Sequence, residues 1–126
     1  MTIVFTFNDN EVKADEPLGS VMISDGAERI CVKTVFLDSF FSALVRAYMQ
    51  SSFGPASIEV EEEGEHVKLE REGIGLRLRY GKQEIPIANA SEFERSLKET
   101  CVDLLTKFPE SGVQNEIFEP LRTFVT

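Results

Sequence analysis

The sequence has little of what most catalytic and metal sites require. Its 126 residues include one histidine, two cysteines and no tryptophan. Zinc sites need several His or Cys ligands, and nucleophilic catalysis pairs a nucleophile with a nearby base. The chain contains no GxSxG, HExxH, Walker or GxGxxG motif at the position its chemistry requires. We therefore predict a protein that is not an enzyme and has no catalytic residues, cofactor or metal.

Long apolar runs are also missing. The opening stretch MTIVFTFND has no basic residue, and its apolar run is too short for a signal peptide or a membrane span. Cys31 and Cys101 lie far apart, each beside apolar residues, so the sequence predicts two buried thiols rather than a disulfide. Buried free thiols suit a reducing compartment, and we expect a cytoplasmic protein.

Basic residues are scarce relative to acidic ones. The chain has 22 acidic and 13 basic side chains, a formal net charge of −9 and a sequence pI of about 4.6. This charge repels nucleic acid and anionic membranes at long range and attracts basic proteins. Solubility alone is the alternative explanation for the acidity, and the composition does not decide between the two.

The apolar residues first follow a strand pattern. A hydrophobic content of 42% with ten phenylalanines, in a chain of this length, predicts a single domain over residues 1–126. Ile3, Phe5 and Phe7 alternate on one side of a first strand. Residues 18–23 and 29–33 then predict a hairpin around the Asp25-Gly26 turn.

Two later segments have helical spacing. The first predicted helix has Asp38 as N-cap and Gly54-Pro55 after its end. The second opens with a capping box from Ser91 to Glu94 and is stopped by Pro109. Their apolar stripes are Leu37, Phe40, Phe41, Leu44 and Tyr48, and Phe93, Leu97, Cys101, Leu104 and Phe108.

The tail has a weaker helical pattern. Val113, Ile117, Leu121 and Phe124 predict a short helix that is interrupted by Pro120.

Residues 57–87 return to a period of two, which is typical of an antiparallel meander with one dry face. QEIPI adds a short edge strand limited by Pro86. The inward residues are predicted to be Ile58, Val60, Val67, Leu69, Ile74, Leu76, Leu78 and Tyr80. We therefore predict an α+β fold, in which an antiparallel sheet of N-terminal strands plus a central meander carries two main amphipathic helices.

The stretch VEEEGEHVKLE, residues 60–70, contains five glutamates and the only histidine. A four-residue loop over 62–65 would pair Glu61 with His66 and Glu59 with Lys68. The next hairpin, turning at Glu72-Gly73, would set Lys68 beside Arg77 and His66 beside Arg79. Neither EF-hand nor zinc spacing is present, so we expect His66 to be a surface residue.

The remaining glutamates have no obvious basic neighbour in sequence. These are Glu62, Glu63 and Glu65 in one loop and Glu72 in the other. They form either a solvated surface or an acidic edge that faces a partner.

One family has a similar arrangement over residues 35–81. LDSFFSALVRAYMQ, then IEVEEEGEHVKLEREGIGLRLRYG, then a closing helix resemble the small acidic immunity proteins of bacterial polymorphic toxin systems, including contact-dependent growth inhibition. The shared pattern is a helix L-D-x-F-F-x-x-L followed by a strand ending in E-x-E-G-E. The resemblance implies a cytoplasmic toxin inhibitor that acts by protein–protein interaction, without nucleic acid or membrane.

The resemblance also implies a partner and a first set of contacts to test. The partner would be one cognate toxin domain, often a nuclease with a basic cleft, to which an acidic edge is complementary. The predicted partner-binding residues are Glu61, Glu62, Glu63, Glu65 and Glu72.

Two other interpretations stay open. The first is a non-catalytic subunit or adaptor that binds a partner, or itself, through the Phe-rich first helix or the tail around Phe118 and Phe124. The second is a small enzyme or metal-dependent binder centred on His66.

Overall fold

The strands form two antiparallel sheets, which we call the first ladder (order β1-β2-β3) and the second ladder (order β4-β5-β6-β7). A computed structural model describes residues 1–8, 17–61, 63–108 and 116–126. The α+β prediction is confirmed, with two ladders where one sheet was expected. The elements are β1 (Thr2–Phe7), β2 (Leu18–Asp25), β3 (Glu28–Phe36), α1 (Leu37–Gln50), β4 (Ala56–Glu59), β5 (His66–Glu72), β6 (Gly75–Tyr80), β7 (Gln83–Ile87), α2 (Ala90–Thr106), a 3-10 turn (Glu116–Phe118) and α3 (Glu119–Val125).

Side chains join the two ladders where β3 meets β7. The backbone N–H of Cys31 donates to Gln83 Oε1 (2.8 Å), and Gln83 Nε2 donates back to the Cys31 carbonyl (2.7 Å). The N–H of Ala88 donates to Asp25 Oδ2 (2.8 Å). The Gln83 amide thus supplies the two hydrogen bonds that a neighbouring strand would give.

Burial along the strands agrees with the sequence predictions, with two exceptions. Ile3, Phe5 and Phe7 share one partly buried side, and the predicted inward residues of the meander are buried apart from Ile74. Ile74 is 78% exposed because it lies in the two-residue turn after Gly73, whose φ of +60° suits glycine.

The second exception is Cys31, which was predicted to be buried and is exposed. Ile30 and Val32 point into the core, and successive residues of a strand point to opposite faces. Apolar neighbours in sequence therefore do not bury a strand residue. Cys101 is buried as predicted, and desolvation raises the pKa of its thiol to about 12.

Helix α1 is buried on most of its surface. Its predicted stripe is buried, and so are Ser39 and Ser42 on the polar side. The predicted N-cap is wrong, because the helix begins at Leu37 after Phe36, which makes no capping hydrogen bond from its side chain. Asp38 lies in the first turn, where its Oδ1 accepts from the Ser39 N–H (2.8 Å).

The C-terminal end of α1 is tied to β5. Arg71 Nε donates to Ser51 Oγ (2.9 Å), and the Arg71 guanidinium lies 4.7 Å from the centre of the Tyr48 ring. Burial, and to a smaller extent the charge of Glu94, raise the pKa of Tyr48, against the lowering effect of Arg71. These contacts fix where the chain leaves the helix.

Helix α2 begins earlier than the capping box predicted. Asn89 is the N-cap, and its side chain accepts from the N–H groups of Ser91 (2.9 Å) and Glu92 (3.2 Å). An asparagine two residues before the Ser91 box satisfies the first free donors instead. The predicted stripe is buried, and Pro109 lies outside the described residues.

The tail forms a 3-10 turn followed by α3. Pro120 does not interrupt this helix, since it lies in the first turn, where a missing N–H removes no intrahelical hydrogen bond. Phe118, Leu121 and Phe124 are buried in the core. Val113 lies outside the described part of the chain.

Candidate binding groove

The β4–β5 hairpin has a longer loop than the sequence predicted. The ladder pairs Glu59 with His66 and Ser57 with Lys68, so the predicted pairs Glu61–His66 and Glu59–Lys68 are wrong by two residues. Val60 follows the last paired residue and is buried as predicted, and its N–H donates to the Glu65 carbonyl (2.8 Å) across the loop. Six residues, 60–65, therefore leave the ladder.

His66 lies on the surface as predicted, with a different carboxylate. Its Nδ1 is 3.0 Å from Ser57 Oγ, and its Nε2 is 3.9 Å from Glu59 Oε2. Its side chain is 43% exposed. The next hairpin also differs, since Lys68 lies opposite Arg79 and Glu70 opposite Arg77. No group of three or more His, Cys, Asp or Glu in the described ranges is arranged to hold a metal ion.

The predicted acidic residues separate into three places. Glu61 is exposed and lines a groove beside α1. Glu63 and Glu65 lie near Tyr80, where burial first and these two carboxylates second raise the pKa of the phenol. Glu72 lies at the far end of β5, ~20 Å along the strand from Glu65. Glu62 lies outside the described residues.

Glu72 has a cation partner that the sequence did not suggest. Arg77 Nε donates to Glu72 Oε1 (2.7 Å) and Arg77 Nη2 to Oε2 (3.3 Å). This hydrogen bond holds the pKa of Glu72 below its ordinary value. The expectation that Glu72 lacks a basic neighbour is therefore wrong, because a hairpin turn brings Arg77 back beside it.

The groove runs along the polar side of α1. It has a volume of about 1200 Å³ and is bordered by the end of β4, by α2 and by the C-terminal elements. Among the described residues its lining consists of Phe36, Asp38, Ser39, Ser42, Ala43, Val45, Arg46, Met49, Gln50, Glu59, Glu61, Glu94, Lys98, Glu116, Ile117, Glu119, Pro120, Thr123 and Phe124.

The charges in the groove are strongly unbalanced. Six carboxylates line it among the described residues, against the two cations Arg46 and Lys98. Lys98 Nζ lies 5.4 Å from the centre of the Phe124 ring. A cleft lined by one sign of charge focuses the field and concentrates ligands of the opposite sign. The groove therefore favours a cationic ligand.

The floor of the groove is shaped by short side chains. Ser39, Ser42 and Ala43 of α1 line it with short side chains that are largely buried. Ile117 and Pro120 add apolar surface from the C-terminal elements. Apolar surface below an acidic rim suits a polypeptide segment better than a small inorganic cation.

Sequence reasoning found Glu61 and missed the other five carboxylates that line the groove among the described residues. The missed ones are Asp38, Glu59, Glu94, Glu116 and Glu119. Glu94 and Lys98 are one helical turn apart beside the buried stripe of α2, which is a local signal. No local pattern showed that β4, α2 and the tail meet around α1.

No helix among the described residues is long and apolar enough to cross a membrane. Comparison of the chain with protein-family models, with curated proteins and with solved structures found no match in any of the three. Function is therefore inferred from the groove, its charges and the resemblance of residues 35–81 noted above.

Proposed function

We propose that the protein is an immunity protein, which binds and neutralises one cognate toxin domain of a bacterial polymorphic toxin or contact-dependent growth inhibition system. The observation that carries the proposal is the groove, where six carboxylates of the described residues converge beside the acidic β4–β5 loop. An inhibitor of this kind acts by occupying its partner and needs no reacting group of its own.

Charge explains both affinity and choice of partner. A nuclease holds phosphates with lysine and arginine, so its cleft is basic and complementary to an acidic groove. Carboxylates placed in or beside that cleft compete with nucleic acid for the same cations. Long-range attraction also gives fast association that slows as salt is added.

The adaptor interpretation keeps only part of the surface on which it was based, since Phe124 and its neighbours in the tail line the groove. Phe40 and Phe41 of α1 are at most 1% exposed, and Phe118 in the tail is fully buried. These side chains belong to the core and are not available for a partner. The groove is the better supported surface for binding.

The test has two stages. The tagged protein is used to capture partners from its native host, with washes at low and then high salt. The recovered basic domain is then expressed alone and together with this chain. We expect growth arrest by the domain alone, and restored growth when both are present in equal amounts.

Two results would contradict the proposal. One is a recovered domain that is harmless to the host. The other is a toxic domain whose activity is unchanged in the stoichiometric complex, since an immunity protein must inhibit what it binds.

A further inference from the structure

We propose that the groove and the neighbouring Phe53 together bind one cationic amphipathic helix of the partner. This inference rests on the proposed function and adds the form of the ligand and its anchor. Basic side chains of the helix would face the carboxylates of the rim, and its apolar side would cover Met49 and Phe53.

The size of the groove agrees with a helix. Between Asp38 and Gln50, both of which line the groove, α1 rises by ~18 Å. The lining follows α1 over this length, which corresponds to about three turns of a bound helix.

Carboxylates reach the groove from separate elements. Glu59 and Glu61 come from the end of β4, while Glu116 and Glu119 come from the 3-10 turn and α3. Both β4 and α3 contact α1. A helix lying between them would meet negative charge along both sides, as lysines or arginines at i, i+3 and i+4 require.

Phe53 provides the apolar half of the interface. It is 94% exposed, the highest value among the exposed large hydrophobic residues described, and Met49 is 56% exposed. The Phe53 N–H donates to the Gln50 carbonyl (2.9 Å), which keeps Phe53 within one turn of the groove. Exposed aromatic side chains next to a groove are typical anchors of protein interfaces.

The turn that carries Phe53 is held in place. Arg71 donates through Nε to Ser51 Oγ (2.9 Å) and through Nη2 to Ser52 Oγ (3.5 Å). The Ser51 hydroxyl donates to the Tyr48 carbonyl (2.6 Å). The backbone leading to Phe53 is thus held in place, which reduces the backbone entropy lost on binding.

Arg46 limits the positions that a bound helix can take along the groove. Its side chain is exposed and lines the groove among the carboxylates. A basic residue of the ligand placed opposite Arg46 would be repelled, so the ligand should carry an acidic or neutral residue there.

The probe for a direct test is a synthetic peptide of roughly 14 residues with lysines on one helical face and leucines on the other. It is titrated into the isotope-labelled full chain and followed by NMR. We expect shifts at the groove side of α1, at Glu61, at α3 and at Phe53. A matched peptide with two central prolines cannot form the helix, and we expect it to bind about tenfold more weakly.

Two variants test the apolar part of the interface. Phe53→Ser should weaken peptide binding about fivefold at both low and high salt, because an apolar contact is not screened. Val102→Ser, at a 48% exposed valine on α2, is the matched control and should change binding less than about twofold. Circular dichroism of each variant checks that it is folded.

Shifts spread over the whole acidic surface, equal binding of the proline peptide, or equal effects of the two variants would each overturn the inference. The variants are also tested against the captured toxin domain. If Phe53→Ser leaves both the complex and neutralisation unchanged, the inference fails and the proposed function stands. If the peptide binds as expected but no captured domain is toxic, the proposed function fails and the groove stands as a helix-binding site.

Discussion

The outer face of the second ladder and the groove beside α1 both carry many charged side chains, but they arrange them differently. On the ladder, consecutive ion pairs join Glu72 to Arg77 (2.7 Å), Arg77 to Glu84 (3.4 Å) and Glu84 to Arg79 (2.6 Å). In the described part of the groove lining, six carboxylates meet two cations. An alternating row cancels its own field, whereas an unbalanced cleft keeps it. Part of the net charge of −9 is therefore concentrated around one concave surface.

The two regions also differ in how the chain builds them. The ion pairs on the second ladder join neighbouring strands of one meander, so a short stretch of sequence determines which residues pair. The groove joins residues from α1, β4, α2 and the tail. Its charge is therefore a property of the tertiary structure.

The largest expected effect comes from reversing charge on both sides of the groove. Glu61→Lys combined with Glu116→Lys should slow association with the basic partner by about tenfold or more at low salt, and much less at high salt. Stopped-flow fluorescence over a salt series measures this. The matched control is Glu28→Lys with Glu99→Lys, which makes the same charge change at exposed sites outside the groove lining.

Equal slowing of association by the groove pair and the control pair of substitutions would contradict the difference that we draw between the groove and the rest of the surface. It would mean that total charge, rather than the groove, attracts the partner. A control pair within about twofold of the natural protein would locate the attraction in the groove.

A medium effect is expected at the junction of the ladders. Gln83→Ala removes both hydrogen bonds to the Cys31 backbone and should lower the free energy of unfolding by about 1 kcal/mol. Urea denaturation measures it. Gln50→Ala, on an exposed helical position, is the control and should change stability by less than about 0.5 kcal/mol. An unchanged stability in Gln83→Ala would show that these two hydrogen bonds add nothing to the stability of the junction.

The smallest expected effect is a pH dependence of the ladder face. Hydrogen bonds from Arg77 and Arg79 hold the pKa values of Glu72 and Glu84 below their ordinary value of 4.5. A carboxylate with a lowered folded pKa stabilises the native state above the unfolded value and loses this contribution as pH falls through the folded value. Thermal unfolding between about pH 5 and pH 3 should therefore show decreasing stability.

Glu84→Gln tests this assignment. The variant cannot be protonated at that site, so its melting temperature should fall less over the same acid range than that of the natural protein. High salt should reduce the difference, because both partners are exposed and screened. A larger acid sensitivity in the variant would refute the assignment.

Local periodicity predicted much of the fold. The stripes of both long helices and the inward alternation of β4 to β6 are confirmed, since burying apolar side chains requires those spacings. Errors occurred in the length of a loop and in the capping of a helix. The β4–β5 loop has six residues where four were predicted, which shifts the register by two, and Asn89 caps α2 ahead of Ser91.

The candidate site was predicted less completely. Glu61 lies in the groove, but Glu63, Glu65 and Glu72 lie elsewhere. Neighbouring residues of one loop can face different elements, and Glu72 belongs to the other hairpin. Phe53 was not singled out, since one aromatic residue after a helix looks the same in sequence whether it is buried or exposed. Local sequence patterns do not show which distant segments of the chain come together in the fold.

The difference in exposure between the two thiols allows folding to be measured by chemical labelling. Cys31 is exposed on β3, while Cys101 is fully buried and has a pKa of about 12. A brief pulse of a thiol reagent should therefore modify one cysteine in each native molecule and both in each unfolded one. Mass spectrometry then counts native and unfolded molecules directly, in free protein or complex, without introducing a label.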